Sequence, residues 1–391
     1  MKNVLFVIDT LRMGGAEKSL ISLLKALDPN KINVDLFLFE HGGVLQDQVP
    51  KWVNILGSDS LTKGMTLELR KYLGEVIKGG HFKAALARIK MTLRAKLLSK
   101  TEFNWKIVEP YIPKLEKQYD VAVGYLEGFP DFYVIDKVTA KKKIGWIHID
   151  YSGKSLPEEA VRYYNSFDAL VTISDICKKA FTDVVPGIKN KIQVLENIVL
   201  SSEIKQLAQM KCPDTWRSIG GDQIVSVGRL DYQKGFDIGA KAARILRDKG
   251  YDFCWHVYGQ GVMENEINQY IRENELENYY ILEGLTENPY PYMKKADIIV
   301  QPSRWEGKSL VLDEAKILGK AIVVTDYPSV TDQVINGKTG IITGLEPEAI
   351  AEGIEMLIQK KDLRSVLEKN CRQEPNYSYQ IVDRFYEMLD I

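Results

Sequence analysis

The segment Glu306-Gly307-Lys308-Ser309-Leu310-Val311-Leu312-Asp313-Glu314-Ala315 joins a predicted strand to a predicted helix. The apolar run that precedes it, Asp297–Ser303, has the pattern of a short buried strand ending in a loop. Glu306 is therefore expected in the loop between the two elements, and Glu314 about two turns into the helix. This arrangement indicates an α/β fold whose strand-to-helix loops carry the functional groups.

The two carboxylates of this segment suit a nucleotide sugar. Backbone N–H groups at a helix N-terminus favour a phosphate, and an ionised carboxylate is a pure acceptor that can hold vicinal hydroxyls. One loop can therefore offer amides to a diphosphate and carboxylates to the sugars on either side of it. The alternative is that Glu306 and Glu314 are surface charges beside an ordinary turn. A P-loop is excluded, because that motif needs a glycine five residues before Gly307, where Pro302 stands.

Strand and helix patterns alternate through both halves of the chain. The predicted strands of the first half are Val4–Asp9, Val34–Phe39, Val121–Tyr125, Lys143–His148 and Ala169–Ser174. Those of the second half are Gln223–Gly228, Phe253–Tyr258, Tyr280–Glu283, Ile298–Gln301 and Ala321–Thr325. This alternation predicts two doubly wound, Rossmann-like domains, 1–199 and 200–375, that face a central cleft. The amphipathic helix within 376–391 is not placed by the sequence, and packing back on the first domain is one option.

Composition excludes several classes of protein. The 391 residues carry 52 basic and 53 acidic side chains, a balance without the footprint of a nucleic-acid binder. No apolar run approaches the roughly 20 residues of a membrane span. The apolar run at the N-terminus is too short for a signal peptide and predicts a first strand. The four cysteines form no metal-binding spacing and are expected to be reduced thiols of a cytoplasmic protein.

A basic loop ends the first predicted strand of the second half. In Val227-Gly228-Arg229-Leu230-Asp231-Tyr232-Gln233-Lys234-Gly235, both Arg229 and Lys234 lie where a strand passes into a helix. A guanidinium and an ammonium together neutralise a diphosphate and stabilise it as a leaving group. The alternative, two solvated loop charges, is weakened because this loop and the acidic loop should open on the same side of one sheet.

The first half offers weaker signals at the ends of its predicted strands. Gly14-Gly15 follows the first strand, where glycine lets the backbone approach a ligand or adopt positive φ, although a plain tight turn is the alternative. His148 and Glu127 each end a later strand, and parallel sheets bind ligands at that end. For His148 the alternative is a core histidine whose nitrogens are satisfied by the protein.

The segment Lys78–Lys100 predicts a basic amphipathic helix. It contains no acidic residue, and its cations are Lys78, Lys83, Arg88, Lys90, Arg94, Lys96 and Lys100. Apolar residues recur at helical spacing, namely Phe82, Ala85, Leu86, Ile89, Leu93 and Leu97. Such a helix suits an anionic membrane surface. The alternative is a helix that packs its apolar stripe on its own domain and keeps its charges in water.

Together these segments resemble the retaining GT-B glycosyltransferases of family 4, the group 1 transferases. The resemblance covers nearly the whole chain and is strongest over Ile224–Val334. The motifs that carry it are Glu306-x7-Glu314, Val227-Gly228-Arg229-Leu230, Lys234-Gly235, Gly259-Gln260-Gly261, Glu283-Gly284, and Gly14-Gly15-Ala16-Glu17. Lys308 departs from the pattern, since an aromatic or small apolar residue is common there.

The resemblance implies a role for each candidate residue. Glu314 would hold the ribose hydroxyls, and Arg229 and Lys234 the diphosphate. Glu306 would contact hydroxyls of the donor sugar, and His148 matches a residue that the family places beside the reacting sugar. The remaining contacts implied for the donor are Gly14, Gly15, Glu283, Gly307, Lys308, Ser309 and Leu310. No cofactor and no metal are implied, because the nucleotide sugar is a co-substrate.

The function implied is transfer of a hexose or N-acetylhexosamine from a nucleotide sugar, with UDP favoured, to a growing glycan. Anomeric configuration would be retained, and the leaving phosphate would accept the proton of the acceptor. The acceptor would be a glycan or a polyprenyl-linked one, handled by a peripheral enzyme on the inner face of the cell membrane. Two alternatives share the architecture, a GT-B phosphorylase or epimerase and a catalytically silent sugar-binding subunit.

Overall fold

The chain folds into two compact units, each built on one sheet. The computed structural model describes residues 1–57, 61–63, 69–97, 104–212, 221–375 and 378–391. Unit 1 comprises Met1–Ile198 with Ser378–Ile391, and unit 2 comprises Val199–Tyr377. Every strand pair recorded in either sheet is parallel, as the alternation of strands and helices predicts.

The sheet of unit 1 has the strand order β3-β2-β1-β4-β5-β6-β7. Its strands are β1 (Lys2–Ile8), β2 (Ile32–Leu38), β3 (Asn54–Leu56), β4 (Gln118–Gly124), β5 (Thr139–Ile147), β6 (Ala169–Thr172) and β7 (Ile192–Val194). Its helices are α1 (Gly15–Ala26), α2 (Leu69–Lys78), α3 (Phe82–Leu97), α4 (Trp105–Val108), α5 (Phe129–Lys137), α6 (Glu158–Asn165) and α7 (Asp175–Val184). The last five residues of β1 are fully buried, because helices cover both faces of the sheet.

The C-terminal helix belongs to unit 1. The last helix of the chain, Ser378–Met388, packs against α1, and the Phe385 ring lies 5.9 Å from the rings of both Phe6 and Trp146. The backbone N–H of Asp28 donates to the hydroxyl of Tyr386 at 2.5 Å. Aromatic burial of this kind is the main reason that the helix joins the first sheet although the whole of unit 2 precedes it in sequence.

The sheet of unit 2 has the strand order β10-β9-β8-β11-β12-β13. Its strands are β8 (Asp222–Val227), β9 (Phe253–Tyr258), β10 (Tyr280–Gly284), β11 (Ile298–Gln301), β12 (Ala321–Thr325) and β13 (Ile341–Thr343). Its helices are α8 (Ser201–Leu207), α9 (Phe236–Asp248), α10 (Glu264–Glu273), α11 (Tyr290–Lys295), α12 (Leu310–Ile317), α13 (Pro347–Gln359) and α14 (Lys361–Gln373). The C-terminal helix described above is therefore α15. Apolar clusters lie on both faces of this sheet, one around Trp255 and one around Tyr327.

The ten predicted strands are all present, and their ends differ from the predicted ones by at most four residues, the largest shift being the start of β5. Three further strands, β3, β7 and β13, were not predicted. Each is only three residues long and lies at an edge of its sheet. A segment this short does not form a recognisable apolar run in the sequence.

Candidate active site

The candidate site lies where two loops leave neighbouring strands of unit 2. The strand order reverses between β8 and β11, so the loops that follow these two strands open a crevice at the end of the sheet. The Arg304 N–H donates to the Gln233 carbonyl oxygen at 2.8 Å, which ties the loops together. Gly235 has φ of +68°, and a Cβ there would lie 2.0 Å from the carbonyl oxygen of Pro302. Glycine is therefore required for the two loops to meet.

Glu306 is the centre of the polar contacts in this crevice. Glu306 is 5% exposed, and its Oε1 lies 2.6 Å from Nζ of Lys234. Three neutral groups also donate to the carboxylate, namely Ser303 Oγ at 2.7 Å, Gln301 Nε2 at 3.4 Å and Gln233 Nε2 at 3.3 Å. The basic loop and the acidic loop are thus brought into one constellation, as the sequence predicts. A buried carboxylate held by a cation and neutral donors is strongly oriented.

Arg229 remains available to a ligand. Its side chain is 63% exposed, and its guanidinium lies 3.3 Å from the carboxylate of Asp231. Asp231 also accepts a hydrogen bond from the Lys234 backbone N–H at 3.1 Å, which caps the short turn that carries Lys234. An exposed ion pair of this kind is weak, so the guanidinium can turn to a phosphate at little cost.

Glu314 is buried in the second turn of α12. It is 2% exposed, and its Oε1 accepts a hydrogen bond from the Tyr290 hydroxyl at 2.9 Å. Burial raises the pKa of Tyr290, and the neighbouring Glu314 carboxylate raises it further, so the phenol stays protonated and donates. Tyr290 was not singled out by the sequence, because its contact with Glu314 spans 24 residues of chain.

The predicted phosphate-binding amides are not all available. The N–H of Ser309 donates to Oε1 of Gln333 at 2.8 Å, and Nε2 of Gln333 donates back to the Ser309 carbonyl oxygen at 2.8 Å. The Ser309 N–H is therefore already occupied in this structure, and the predicted contact of Ser309 with the donor stays a prediction. Leu310 begins α12.

Glu283 is the next-to-last residue of β10, and its side chain is held by a histidine of the neighbouring strand β9. Nδ1 of His256 lies 2.7 Å from Oε1 of Glu283, and Nε2 of the same ring lies 3.3 Å from Oε1 of Gln223. His256 is completely buried. Gly284 ends the strand with φ of +77°, a left-handed conformation that glycine adopts without strain. The contact of Glu283 with the donor stays a prediction.

The glycine pair of unit 1 follows β1 without an unusual backbone conformation. Gly14 has φ of −137°, so the positive φ that was one of the two expectations for this position is absent. A Cβ at Gly14 would lie 2.2 Å from Oε2 of Glu17, but this atom is the end of a flexible side chain that can move, so packing does not require glycine there. No contact of Gly15 bears on its predicted ligand role, which stays a prediction.

His148 follows β5 as a neutral imidazole. Burial lowers its pKa to about 3. The ring lies 5.1 Å from that of Tyr125, and it is nearly parallel to that of Trp146. Its backbone N–H donates to Oε2 of Glu127 at 2.9 Å, so the two strand-end residues singled out in the sequence are joined. Within the described residues, Nε2 has no hydrogen-bond partner.

A buried acid beside this pair was missed by the sequence. Asp131, in the first turn of α5, is 0% exposed, and burial together with Glu127 raises its pKa well above the usual range. A Cβ at Gly124 would lie 2.2 Å from Oδ1 of Asp131, so this glycine makes room for the carboxyl group. Burial also raises the pKa of Asp9 to about 7, with Glu17 and Glu127 adding to the effect. The sequence signal for Asp131 is Gly124, because a glycine inside a strand indicates that another group approaches the backbone closely.

The basic helix α3 presents an apolar stripe to solvent. Phe82, Leu86 and Leu93 are all exposed, and they lie on one face at helical spacing. The opposite face buries small side chains and Met91 against unit 1. Residues 98–100 of the predicted basic segment lie outside the described residues. Within the part of the chain that the structure describes, no helix is long and apolar enough to cross a membrane.

One family model matches the chain. Residues 219–374 match the family Glycosyl transferases group 1, a range that lies inside unit 2 and contains both loops of the candidate site. The relation predicted from the motifs is thereby confirmed at the level of the group 1 transferases. The narrower assignment to family 4 stays a prediction.

Two curated proteins are similar over part of the chain. The capsular polysaccharide biosynthesis glycosyltransferase CapM of Staphylococcus aureus is 28% identical over 223 residues, which is 54% of this chain and 58% of CapM. A Campylobacter jejuni enzyme, the N-acetylgalactosamine-N,N'-diacetylbacillosaminyl-diphospho-undecaprenol 4-alpha-N-acetylgalactosaminyltransferase, is 27% identical over 184 residues, 46% of this chain and 48% of that enzyme. The chain spans about half the length of the curated relatives it matches.

Solved structures share the fold over the full length. HepE of Anabaena, determined in complex with UDP and glucose, aligns with a TM-score of 0.71 at 17% identity and covers 100% of both chains. At this identity the likeness shows the fold alone. The prediction of two Rossmann-like domains of the GT-B class is confirmed.

Proposed function

We propose that this chain, which carries a group 1 glycosyl transferase domain over residues 219–374, moves a hexose or N-acetylhexosamine from a nucleotide sugar to a growing glycan. The observation that carries the proposal is the buried pair of Lys234 and Glu306 beside the exposed Arg229. These groups place two cations and one carboxylate in a single crevice of unit 2. The similarity to a capsular polysaccharide enzyme supports a role in surface-glycan synthesis.

The donor we propose is a UDP-sugar. Glu314 is assigned to the ribose hydroxyls, because a buried carboxylate fixed by a tyrosine accepts well from a diol. Arg229 and Lys234 are assigned to the diphosphate, and Glu306 to hydroxyls of the transferred sugar. UDP is favoured because a structure with the same fold was determined with UDP bound.

The reaction breaks the bond between the anomeric carbon and the diphosphate oxygen. The bonding electrons remain on the diphosphate, where Arg229 and Lys234 stabilise the growing negative charge. The acceptor hydroxyl attacks from the same face, so configuration is retained, and its proton passes to the departing phosphate. We propose that the two cations supply the charge stabilisation without a metal. His148 is neutral and suited to hydrogen-bond a sugar hydroxyl, and its role stays a prediction.

A groove of unit 1 is suited to bind the acceptor. The acceptor that fits it consists of an anionic group joined to an apolar or glycan part. The volume of the groove is about 700 Å³, and the groove lies between residues 151–156 and helix α7. The exposed Lys154 and Lys179 line it together with Asp183, while the buried Tyr151 and Ala180 add apolar surface. Two ammonium groups beside an apolar surface, only partly offset by one carboxylate, suit the phosphate end of a lipid-linked glycan.

The exposed stripe of α3 supports docking on an anionic membrane. Phe82, Leu86 and Leu93 can enter the lipid headgroup region, while the exposed Lys83 and Lys90 contact phosphates. The Campylobacter relative acts on an undecaprenol-linked substrate by its name, and such a substrate stays in the bilayer. We therefore propose a lipid-linked acceptor and peripheral association with the membrane.

The proposed function is tested by coupling donor binding to product release. Thermal-shift screening of UDP- and GDP-sugars identifies the donor, and released UDP is then measured with and without a polyprenyl-diphosphate glycan acceptor. A transferase releases UDP at a substantial rate only with the acceptor. A phosphorylase requires inorganic phosphate instead, and a silent subunit binds without release, so either result would refute the proposal.

The matched variants for this assay are Glu306→Gln and Glu355→Gln. Glu306 is buried in the crevice, whereas Glu355 holds Lys249 and Tyr251 at a distant surface of unit 2. Turnover should fall only in Glu306→Gln. Equal losses in both variants would point to damage of the fold rather than of the site.

A further inference from the structure

The loop that carries Glu306 is held at both ends by one neighbouring segment. The hydroxyl of Ser329 donates to the carbonyl oxygen of Glu306 at 2.8 Å. At the other end, Gln333 makes two hydrogen bonds of 2.8 Å with the backbone of Ser309. Both residues belong to the connection between β12 and β13, which contains the 3-10 turn Val330–Asp332. The ends of loop 306–309 are therefore fixed by side chains of this segment, in addition to the backbone hydrogen bond of 3.2 Å that the Leu312 N–H of α12 donates to the Ser309 carbonyl oxygen.

These contacts are buried and supported. Ser329 is 1% and Gln333 is 4% exposed, so water does not compete for their hydrogen bonds. The ammonium of Lys316, on α12, donates to the backbone oxygen of Gln333 at 2.9 Å. Lys316 is held in turn by the carboxylate of Glu374 at 3.0 Å. The segment that holds the loop is therefore itself fixed, by Lys316 of α12 and through it by Glu374, which directly follows α14.

A carboxamide is the side-chain group best suited to form hydrogen bonds with both the N–H and the carbonyl oxygen of one residue. It donates through Nε2 and accepts through Oε1, so it satisfies the carbonyl oxygen and the N–H of Ser309 together. A glutamate could accept from that N–H but would bring its second oxygen against the carbonyl oxygen. A methionine of similar length would remove both contacts, so the Ser309 N–H would lose this acceptor and the carbonyl oxygen would keep the Leu312 N–H alone.

We propose that Gln333 and Ser329 are positioning residues for the donor sugar. They fix the main chain of loop 306–309, while Lys234 and Ser303 fix the carboxylate of Glu306 from the other side. The inference rests on the proposed function, in which Glu306 holds hydroxyls of the transferred sugar. It follows that the orientation of the Glu306 carboxylate toward the donor sugar depends on Gln333, whereas the affinity for the nucleotide does not. Displacement of a catalytic group by about 1 Å can lower turnover on the order of 10²-fold.

The test compares Gln333→Met with Gln333→Glu, Ser329→Ala and the control Gln359→Met. Gln359 lies on the surface of unit 2 and contacts Glu355, far in sequence from the loop. Calorimetry measures the dissociation constants of UDP and of the UDP-hexose that stabilises the wild type most. Initial rates give kcat and KM for the same UDP-hexose, and thermal unfolding checks that each variant is folded.

We expect Gln333→Met to lower kcat on the order of 10²-fold while the affinity for UDP changes less than about threefold. Gln333→Glu keeps the accepting contact alone and should lie between this variant and the wild type. Ser329→Ala should show a smaller loss of the same kind, and Gln359→Met should behave as the wild type. If Gln333→Met does not fold, the two milder variants carry the same comparison.

Three results overturn the inference, and they are distinguishable from one another. If the wild type turns over the UDP-hexose and the folded Gln333 and Ser329 variants match its kcat, the positioning role is wrong and the proposed function stands. The positioning role is also wrong if UDP affinity and kcat fall in equal proportion, because the contacts then only support the fold. If the wild type neither binds nor turns over any nucleotide sugar, the proposed function fails and the inference fails with it.

Discussion

Replacing Lys234 with methionine should destabilise unit 2 at neutral pH. Nζ of Lys234 lies 2.6 Å from Oε1 of Glu306, and the two side chains are only 15% and 7% exposed. Methionine preserves the length of the side chain and removes its charge. The carboxylate of Glu306 is then left buried without the cation that compensates it.

The size of the effect follows from what remains around Glu306. Removing one partner of a buried ion pair costs about 3–5 kcal/mol. Neutral donors from Ser303, Gln301 and Gln233 still reach the carboxylate, so we expect a loss near the lower end, about 3 kcal/mol.

The assay is urea unfolding of the wild type and the variant at pH 8. The matched control is Lys249→Met, because Lys249 lies 2.7 Å from Glu355 but the two side chains are 44% and 23% exposed. An exposed pair contributes about 0–1 kcal/mol, so this control should change little. Adding Glu306→Gln to the Lys234 variant should restore much of the loss. The reasoning is refuted if Lys234→Met loses no more stability than Lys249→Met at pH 8.

Three further predictions concern the nucleotide, the buried acid and the membrane. Glu314→Gln should weaken UDP binding in calorimetry by roughly 1.5–3 kcal/mol, and unchanged affinity would show that Glu314 does not hold the ribose. Asp131→Asn should match the wild type near pH 4 and become the more stable at pH 8, because the raised pKa of Asp131 makes wild-type stability fall with pH by about 1.4 kcal/mol per unit between the ordinary and the raised value. A parallel pH dependence of both proteins in thermal unfolding would contradict the buried neutral acid. Co-sedimentation with anionic vesicles should be lost at high salt and in a Gln variant of the exposed cations of α3, whereas a wild type that ignores such vesicles would favour a soluble acceptor. The cations to change are Lys83, Lys90 and Arg94.

The sequence could predict the fold because the strands of both sheets are buried on two faces. Runs such as Ile298–Gln301 and Ala321–Thr325 are continuously apolar, and their structural bounds equal the predicted ones. The two loops of the candidate site could also be located, because each follows such a run. The sequence could not predict the short edge strands or the place of α15, which depends on aromatic contacts between the two ends of the chain.

The residues that hold the site were beyond sequence reasoning for a physical reason. Tyr290 reaches Glu314 across 24 residues, and Gln333 reaches Ser309 across the same separation. A side chain that satisfies a distant backbone group leaves no periodic or local pattern. Gly14 shows the converse error, since its position suggested an unusual φ and the structure gives it an ordinary extended backbone. The charged groups were therefore predictable, and their supports were not.

The most direct test of the account is the rate of UDP release from a UDP-hexose by the wild type and by Arg229→Ala. Arg229 is exposed and makes only a weak pair with Asp231, so its removal should leave the fold intact. The account predicts release that depends on a polyprenyl-diphosphate glycan acceptor and that falls about 10²–10³-fold in the variant, the range for losing one electrostatic donor to a leaving group. Acceptor-dependent release at the wild-type rate in Arg229→Ala, or release that requires inorganic phosphate in place of the acceptor, would contradict it.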